Sequence, residues 1–205
     1  MSDYGEPLRE QDVDPDPVRQ FAVWYEQAAA ADLRLPEAMA LATASADGAP
    51  SVRMVLMKGF DEHGFVFFSN YESRKGRELA ANPRAALLFH WDPLGRQVRI
   101  EGPVARTSVE ETAAYVHSRA RGSQLSALAS PQSETIDSRE ELERRVAELE
   151  QRYGDDELPL PSNWGGFRLV PQSVELWQQR HDRLHDRLRY RRDEDGGWSL
   201  ERLAP

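Results

Sequence analysis

Short apolar segments separated by tight-turn residues constrain the fold of this 205-residue chain more strongly than any other feature. Asp47 and Gly48 separate two such segments, Gly64 ends a second turn, and residues 195–197 (Asp-Gly-Gly) give a third turn signal. Asp-Gly pairs between apolar segments favour β-hairpins, because both turn residues must adopt positive φ. The sequence therefore predicts antiparallel strands that follow one another along the chain.

Six to eight short strands are predicted, with helices inserted between them. Strand-like composition is found in residues 38–45, 50–58, 65–70, 85–91, 96–106, 165–170, 174–178, 183–191 and 197–203. Helical patterns are found in residues 18–32, 73–81, 108–120, 123–129 and 138–153. This order indicates a mainly β fold with peripheral helices (α+β), organised as an antiparallel barrel. Residues 18–205 are expected to form one domain, and the polar residues 1–17 a mobile arm.

Charge and composition exclude several classes of protein. A formal net charge of -9 opposes binding to nucleic acid, because the phosphate backbone would be repelled. No apolar run is long enough to span a bilayer, and the acidic start lacks a signal-peptide pattern, so a cytoplasmic protein without membrane attachment is expected. The absence of cysteine excludes disulfides, thiolate metal sites and cysteine nucleophiles.

Clusters of cations in this acidic chain indicate candidate anion sites. Ser73 can cap a helix and places Arg74 and Lys75 in its first turn, where backbone N–H groups favour an anion. Two cations are unfavourable at this end of a helix that has no ligand. Arg53 and Lys58 lie at the ends of an apolar strand, where strict alternation would place them on opposite faces. Ordinary surface residues are the alternative in both cases.

A third cluster contains Tyr115, Arg119 and Ser123. Tyr115 and Arg119 are four residues apart and would share one face of a helix. Phenol, guanidinium and hydroxyl groups can all hydrogen-bond phosphate oxygens, and arginine can do so bidentately. The alternative is again a scatter of surface residues.

The segment W-Q-Q-R-H-D-R-L-H-D-R, residues 177–187, combines a tryptophan with three arginines and two histidines. Read as an extended strand, it projects Arg183, His185 and Arg187 from one face. Two cations beside an imidazole and an aromatic ring suit a planar, phosphorylated, anionic small molecule. A charged edge strand that discourages pairing with other chains is the alternative.

The two histidines of this segment also raise the question of a metal site. His181 and His185 are four residues apart and could both ligate zinc if they lay on a helix. Residues 174–188 are interpreted as extended chain, in which this pair would lie about 13 Å apart. No third ligand accompanies them, so no metal site is predicted.

Seven motifs, in order along the chain, resemble the pyridoxamine/pyridoxine 5'-phosphate oxidase family. They are R-M-V-L-M-K (53–58), S-R-K (73–75), N-P-R-A-A-L-L-F-H-W (82–91), R-Q-V-R-I-E-G (96–102), Y-V-H-S-R (115–119), P-S-N-W-G-G-F-R (161–168) and W-x5-R-L-H-D-R (177–187). Each motif alone is weak, but their order and spacing over residues 21–205 are specific. The resemblance implies a split β-barrel that binds FMN at the interface of a homodimer.

The resemblance also implies the residues of both binding sites. The FMN site would comprise Arg53, Met54, Val55, Leu56, Met57, Lys58, Phe68, Ser69, Arg74, Lys75, Gln97, Gln132, Ser133, Trp177 and Arg187. The substrate site would comprise Tyr4, Lys58, Tyr115, Arg119, Ser123, Arg183, Leu184 and His185. Arg74 and Lys75 would hold the FMN phosphate, while Arg183 and His185 would lie against the substrate's pyridine ring as the catalytic pair.

The implied reaction is oxidation of pyridoxamine 5'-phosphate and pyridoxine 5'-phosphate to pyridoxal 5'-phosphate, with O2 as acceptor and H2O2 as a product. Separate cationic pockets for two phosphates would hold the cofactor and substrate rings close enough for transfer. Two alternatives stay open: a split-barrel flavin or deazaflavin reductase acting on another substrate, and a non-enzymatic flavin- or phosphate-binding module.

One departure from the family concerns the N-terminal arm, which in the family often carries Arg-x-x-Tyr. Tyr4 is at the tyrosine position, but Met1 is at the arginine position. Weaker closure of the arm over the substrate is expected, unless the chain begins upstream of Met1.

Overall fold

A computed structural model of the chain describes residues 6–205. Within these residues the strands are β1 (Ala38–Ala44), β2 (Pro50–Asp61), β3 (Gly64–Asn70), β4 (Arg84–Trp91), β5 (Arg96–Arg106), β6 (Trp164–Leu169), β7 (Ser173–Gln178), β8 (Asp186–Arg192) and β9 (Trp198–Arg202). The α-helices of the same part of the chain are α1 (Pro17–Ala30), α2 (Arg74–Ala81), α3 (Val109–Ser118), α4 (Arg121–Ala129) and α5 (Arg139–Tyr153). The prediction of a mainly β fold with peripheral helices is confirmed.

Six of the strands close into an antiparallel barrel. The hydrogen-bonded order is β4-β1-β2-β3-β6-β5-β7-β8-β9, and an additional pairing of β4 with β5 completes the ring. Along most of its length β5 pairs with both β4 and β7, and at Val104–Arg106 it pairs with β6. Strands β7, β8 and β9 therefore extend the barrel wall as a separate antiparallel flap.

Helix α1 packs against aromatic side chains in the core. Phe21 is fully buried, and its ring contacts those of Phe60, Phe65 and Phe89 at centroid distances of 4.9, 4.8 and 5.0 Å. Burying one such ring stabilises the fold by roughly 1.5–3 kcal/mol. The apolar side of the predicted first helix is thus the side that meets the barrel.

The interpretation of residues 174–188 as one extended segment is wrong. Strand β7 ends at Gln178, a 3-10 turn covers His181–Arg183, and β8 begins at Asp186. Asp182 and Arg183 both adopt positive φ, at 56° and 61°. The segment is therefore a hairpin, and Arg183 lies in its turn. Aspartate tolerates this backbone region, but the turn contains no glycine that would have marked it in the sequence.

The part of the predicted arm that the structure describes contacts the flap. Leu8 is buried, and the guanidinium of Arg202 donates to the Leu8 carbonyl at 2.8 Å and to both carboxylate oxygens of Glu10 at 2.8 and 2.9 Å. The hydrogen bonds from Arg202 lower the pKa of Glu10 to about 2. Arg202 also donates to Asp186 at 2.9 Å, next to His185. One arginine therefore joins the arm, the last strand and the start of β8.

Replacing Arg202 with alanine should release residues 6–13 from the flap, since both Glu10 and the Leu8 carbonyl lose their donor. Hydrogen exchange of these residues should accelerate at least about tenfold, while the barrel strands keep their protection. Arg189→Ala is the matched control, because Arg189 pairs with Glu201 and forms no hydrogen bond or ion pair with the described arm residues 6–17. Equal exchange in both variants would show that Arg202 does not anchor the arm.

Candidate active site

The start of α2 collects polar groups from three segments. Ser73 caps the helix by accepting from the Gly76 amide, and the Lys75 ammonium donates to the hydroxyls of Ser73 and Ser69 at 2.9 and 2.8 Å. Lys75 also donates to the side-chain oxygen of Gln132 at 2.5 Å. The structure thus brings together Ser69, Lys75 and Gln132, which the family resemblance assigned to one site.

Arg53 and Arg74 meet at a carboxylate that the sequence analysis did not identify. Glu78 is only 6% exposed and accepts from Arg74 Nε at 2.9 Å, from the Thr43 and Ser51 hydroxyls at 2.5 and 2.6 Å, and from Arg53 Nη2 at 3.4 Å. Burial alone would raise the pKa of Glu78, but these hydrogen bonds outweigh burial and hold it at about 2. Glu78 is therefore ionised at neutral pH and fixes the positions of both arginines.

The electrostatic balance of this cluster suits a doubly charged anion. Burial, and then repulsion from Arg53, lowers the pKa of Lys75 to about 8, while Glu78 opposes that decrease. Three cations face one carboxylate at the amino end of α2, so the cluster keeps a net positive charge near pH 7. A phosphate monoester carries about two negative charges at that pH, and backbone N–H groups of a helix start favour it further.

A second group of predicted residues lies across β5, β7 and β8. Gln97 is directly opposite Trp177, and Trp177 is directly opposite Arg187, so the three form a row across the flap. The Arg187 guanidinium donates to both oxygens of the buried Glu175 at 2.8 and 3.1 Å. This bidentate pair fixes Arg187 beside the indole ring.

His185 lies against Trp177 at a ring-centroid distance of 4.5 Å. Its Nδ1 accepts a hydrogen bond from the Arg180 amide at 3.1 Å. Because a neutral imidazole has one protonated nitrogen, this bond places the proton of a neutral His185 on Nε2 and makes that nitrogen a donor. Arg183 and Leu184, in the adjoining turn, are exposed.

A third group surrounds Arg119. The rings of Phe68 and Tyr115 stack at 3.9 Å, and Tyr115 is nearly parallel to Trp164 at 6.1 Å. Arg119 lies over the Trp164 ring at 4.8 Å, and its buried Nη1 has no hydrogen-bond partner among residues 6–205. Burial raises the pKa of Tyr115, with the charge of Arg119 opposing that rise, so the phenol stays protonated at neutral pH.

The predicted reason for the proximity of Tyr115 and Arg119 needs correction. Helix α3 ends at Ser118, and Arg119 has extended backbone, so the two residues do not share a helical face. They meet because both contact Trp164. Arg119 and Trp164 line a cavity of about 210 Å³ that also contains Asn70, Ser126 and Gln132.

Several predicted site residues lie apart from these groups within one chain. Lys58 is the extra residue of a β-bulge in β2, and it lines a cavity of about 410 Å³ with Tyr25 and Glu37 rather than with Arg119. Ser123 is exposed in the first turn of α4, and Ser133 is exposed with φ 74°. The other β2 residues, from Met54 to Met57, lie along the same strand. Tyr4 lies outside the described residues.

The sequence analysis missed Glu78, Glu175 and Trp164, although each left a signal. Glu78 follows Arg74 by four residues on a helix, which is the spacing of an ion pair. Glu175 precedes Trp177 by two residues on a strand and so shares its face. Trp164 is part of the motif P-S-N-W-G-G-F-R (161–168), but no role was predicted for it.

Residues 6–205 contain neither a candidate metal cluster nor a helix that could span a membrane. No group of three or more histidine, aspartate or glutamate side chains there could hold a metal ion. In the same residues, no helix is both long and apolar enough to cross a membrane.

The closed barrel, with its appended flap, defines the chain as a split-barrel protein. The family model described as pyridoxamine 5'-phosphate oxidase matches residues 25–153, and the pyridoxine 5'-phosphate oxidase C-terminal dimerisation region matches residues 164–205. The chain belongs to the pyridoxamine 5'-phosphate oxidase family and is an oxidoreductase. The matched dimerisation region supports a homodimer.

Similar proteins of known name agree with this membership. The pyridoxine/pyridoxamine 5'-phosphate oxidase of Rubrobacter xylanophilus is 59% identical over 97% of this chain and 91% of its own length. The crystal structure of PhzG from Burkholderia lata, in complex with tetrahydrophenazine-1-carboxylic acid, is 34% identical, with a TM-score of 0.91 over 98% of each chain. A pyridoxamine 5'-phosphate oxidase-related, FMN binding protein from Nostoc punctiforme is 19% identical and shares the fold, with a TM-score of 0.74 over 94% of this chain and all of its own.

Replacing Glu78 with glutamine should lower the free energy of unfolding by about 1–3 kcal/mol at pH 7, because the amide presents a donor to groups that already donate. The folded-state pKa of Glu78 is lowered from 4.5 to about 2, so its contribution is complete above about pH 4.5 and is lost as the pH falls towards 2. Urea unfolding should therefore show the largest difference from wild type at pH 7 and a smaller one at pH 3.

Glu134→Gln is the matched control for this measurement. Glu134 pairs with Arg77, and both side chains are more than half exposed, so its loss should change stability little at any pH. A pH-independent difference between wild type and Glu78→Gln would contradict the assignment of a buried carboxylate.

Proposed function

We propose that this protein oxidises pyridoxamine 5'-phosphate and pyridoxine 5'-phosphate to pyridoxal 5'-phosphate, with FMN as cofactor, O2 as acceptor and H2O2 as a product. The observation that carries the proposal is that two cationic groups, one at Lys75 and one at Arg119, retain positive charge for an anion, with Gln132 accepting from Lys75 and lining the cavity of Arg119. Two phosphorylated ligands, a cofactor and a substrate, account for both. The names of the relatives that are 54–59% identical support this substrate class.

The residues at the start of α2 fit the phosphate of FMN. Arg53, Arg74 and Lys75 offer charged donors, and Ser69 and Gln132 offer neutral groups beside them. The row of Gln97, Trp177 and Arg187 offers an aromatic face and two polar side chains for the ring system. When bound, FMN would supply the two-electron acceptor that these side chains lack, and O2 would reoxidise it.

The substrate phosphate is assigned to Tyr115 and Arg119, with Lys58 and Ser123. Arg119 Nη1 is the strongest support, because a buried guanidinium nitrogen without a partner favours an incoming anion. Arg183 and His185 are assigned to the pyridine ring, with Leu184 beside them. His185 would donate from Nε2 to a ring substituent, and it orients the ring rather than removing a proton, since Nδ1 is already occupied.

A homodimer with FMN at the interface accounts for two features of the single chain. Val52 and Met54 on β2 are 68% and 64% exposed, which is unusual for apolar residues of a barrel strand and favours a partner surface. Lys58 and Arg119 line different cavities of one chain. A second copy that contributes one of these residues would complete the substrate site.

The purified protein should show the absorbance bands of FMN and should convert pyridoxine 5'-phosphate to the aldehyde with uptake of O2. Equal amounts of aldehyde and H2O2 are expected from pyridoxine 5'-phosphate, because the two electrons removed from its alcohol carbon reduce one O2.

Bound FMN without formation of aldehyde would contradict the oxidase and favour a reductase of another substrate. Oxidation of a reduced polycyclic carboxylate instead would indicate a role closer to that of PhzG. Failure to reconstitute the protein with FMN would favour the alternative of a non-enzymatic binding module.

Replacing Arg183 with glycine should lower kcat/KM for pyridoxine 5'-phosphate at least about tenfold, because the guanidinium is removed from the pyridine site. Global stability should stay equal or rise by up to about 1 kcal/mol, since Arg183 has φ 61° and glycine adopts this region without strain. FMN affinity, measured by fluorescence titration, should not change.

Asp182→Gly is the matched control, because Asp182 has φ 56° and its replacement changes the backbone in the same way while retaining the guanidinium. Comparable loss of kcat/KM in both variants would assign the effect to the turn rather than to Arg183. Loss of FMN from Arg183→Gly would contradict its assignment to the substrate.

A further inference from the structure

Arg119 differs from Arg53, Arg74 and Arg187 in the kind of group that fixes its position. Arg53 and Arg74 are fixed by Glu78, and Arg187 by Glu175, so a carboxylate partly neutralises each of them. Within residues 6–205 no carboxylate lies within salt-bridge distance of Arg119. Its guanidinium carbon lies instead over the ring of Trp164, at 4.8 Å from the centroid.

An aromatic support has a different electrostatic consequence from a carboxylate. The face of an indole ring attracts a guanidinium through its quadrupole but carries no net charge. The ring therefore limits the positions that the Arg119 guanidinium can adopt. The full positive charge of Arg119 stays available to an anion. The buried Nη1 atom donates no hydrogen bond within the described part of the chain, so it is the part of the guanidinium that this arrangement leaves for a ligand.

The support itself is held firmly. Trp164 is 8% exposed, it is the first residue of β6, and its register partner on β3 is Asn70. The next residue, Gly165, packs so closely that a Cβ atom there would lie 2.0 Å from the Tyr71 hydroxyl. Arg119, in contrast, lies in the connection between α3 and α4. The firmly packed indole ring of Trp164 thus fixes the position of Arg119, which lies on a less constrained segment.

The same ring also orders Tyr115. The rings of Tyr115, Phe68 and Trp164 are nearly parallel: Trp164 makes angles of 7° with Tyr115 and 17° with Phe68, at centroid distances of 6.1 and 5.7 Å. The contact with Phe68 at 3.9 Å and the parallel Trp164 ring together limit the orientation of the phenol ring. Trp164 therefore contacts both of the residues assigned to the substrate phosphate.

We infer that Trp164 is a positioning residue for the substrate phosphate, which holds Arg119 and Tyr115 in binding geometry without neutralising Arg119. This inference rests on the proposed function. Trp164 is not assigned a contact with the substrate's reacting carbon, so its effect should fall on binding of the phosphate. The KM for pyridoxine 5'-phosphate should rise while kcat changes little.

The test uses the FMN-loaded enzyme and the variants Trp164→Leu and Trp164→Phe. Trp164→Leu should raise both the KM for pyridoxine 5'-phosphate and the Kd for pyridoxal 5'-phosphate, measured by isothermal titration, about tenfold, with kcat within about twofold of wild type. Trp164→Phe keeps an aromatic face of smaller area and should give an intermediate increase. It also carries the test if the leucine variant does not fold.

Trp198→Leu is the matched control. Arg192 lies over the Trp198 ring at 5.0 Å, in the hairpin of β8 and β9, and neither residue is assigned to a ligand. The same chemical change there should leave both KM and Kd unchanged. An equal effect of the two leucine variants would reduce Trp164 to a general structural role and overturn the inference.

Two further outcomes separate this inference from the proposed function. If wild type binds pyridoxal 5'-phosphate and Trp164→Leu binds it equally well, or loses kcat alone, the positioning role is wrong while the function stands. If the wild-type FMN enzyme binds no pyridoxal 5'-phosphate, the proposed function fails and this inference fails with it.

Discussion

The hydrogen bonding of one long strand, β5, to three neighbours is the constraint on which the rest of the structure depends. Its pairing with β4 closes the barrel, its last residues pair with β6, and its other edge carries β7. At Gly102 the backbone passes so close to the Val170 carbonyl that a Cβ atom would lie 1.9 Å from that oxygen. Closure of the barrel therefore also fixes the flap on which Trp177, His185 and Arg187 stand.

Much of the fold followed from local signals in the sequence. The cap at Ser73 and the turn at Gly48 act through their own backbone, so residue type and spacing were sufficient to predict them. The turn at His181–Arg183 was missed because its positive φ angles belong to aspartate and arginine and not to glycine. Its geometry is imposed by the pairing of β7 with β8, which involves residues on both sides of the turn. The conformational preferences of the turn residues themselves do not predict this strand pairing.

The candidate site could be predicted only as far as its cations. Clusters of arginine and lysine residues mark anion sites in a sequence. The side chains that hold these cations in place come from distant segments of the chain. Thr43 and Glu78 are 35 residues apart, and Lys75 and Gln132 are 57 apart, yet both pairs are hydrogen bonded. Lys58 could not be placed because a bulge breaks the alternation on which the prediction was based. Long-range partners and register shifts are therefore what the structure adds.

The contact between the arm and the last strand has a consequence for the order in which the chain acquires its structure. Leu8 and Arg202 are 194 residues apart and are hydrogen bonded. Leu8 is translated long before Arg202, so it leaves the ribosome without this partner. The arm therefore docks only after the six barrel strands, which end at Leu169, and the strand that bears Arg202 have been made. Asp186 accepts from both Arg202 and the Leu8 amide, so the loop that bears Arg183 reaches its final environment at the same late stage.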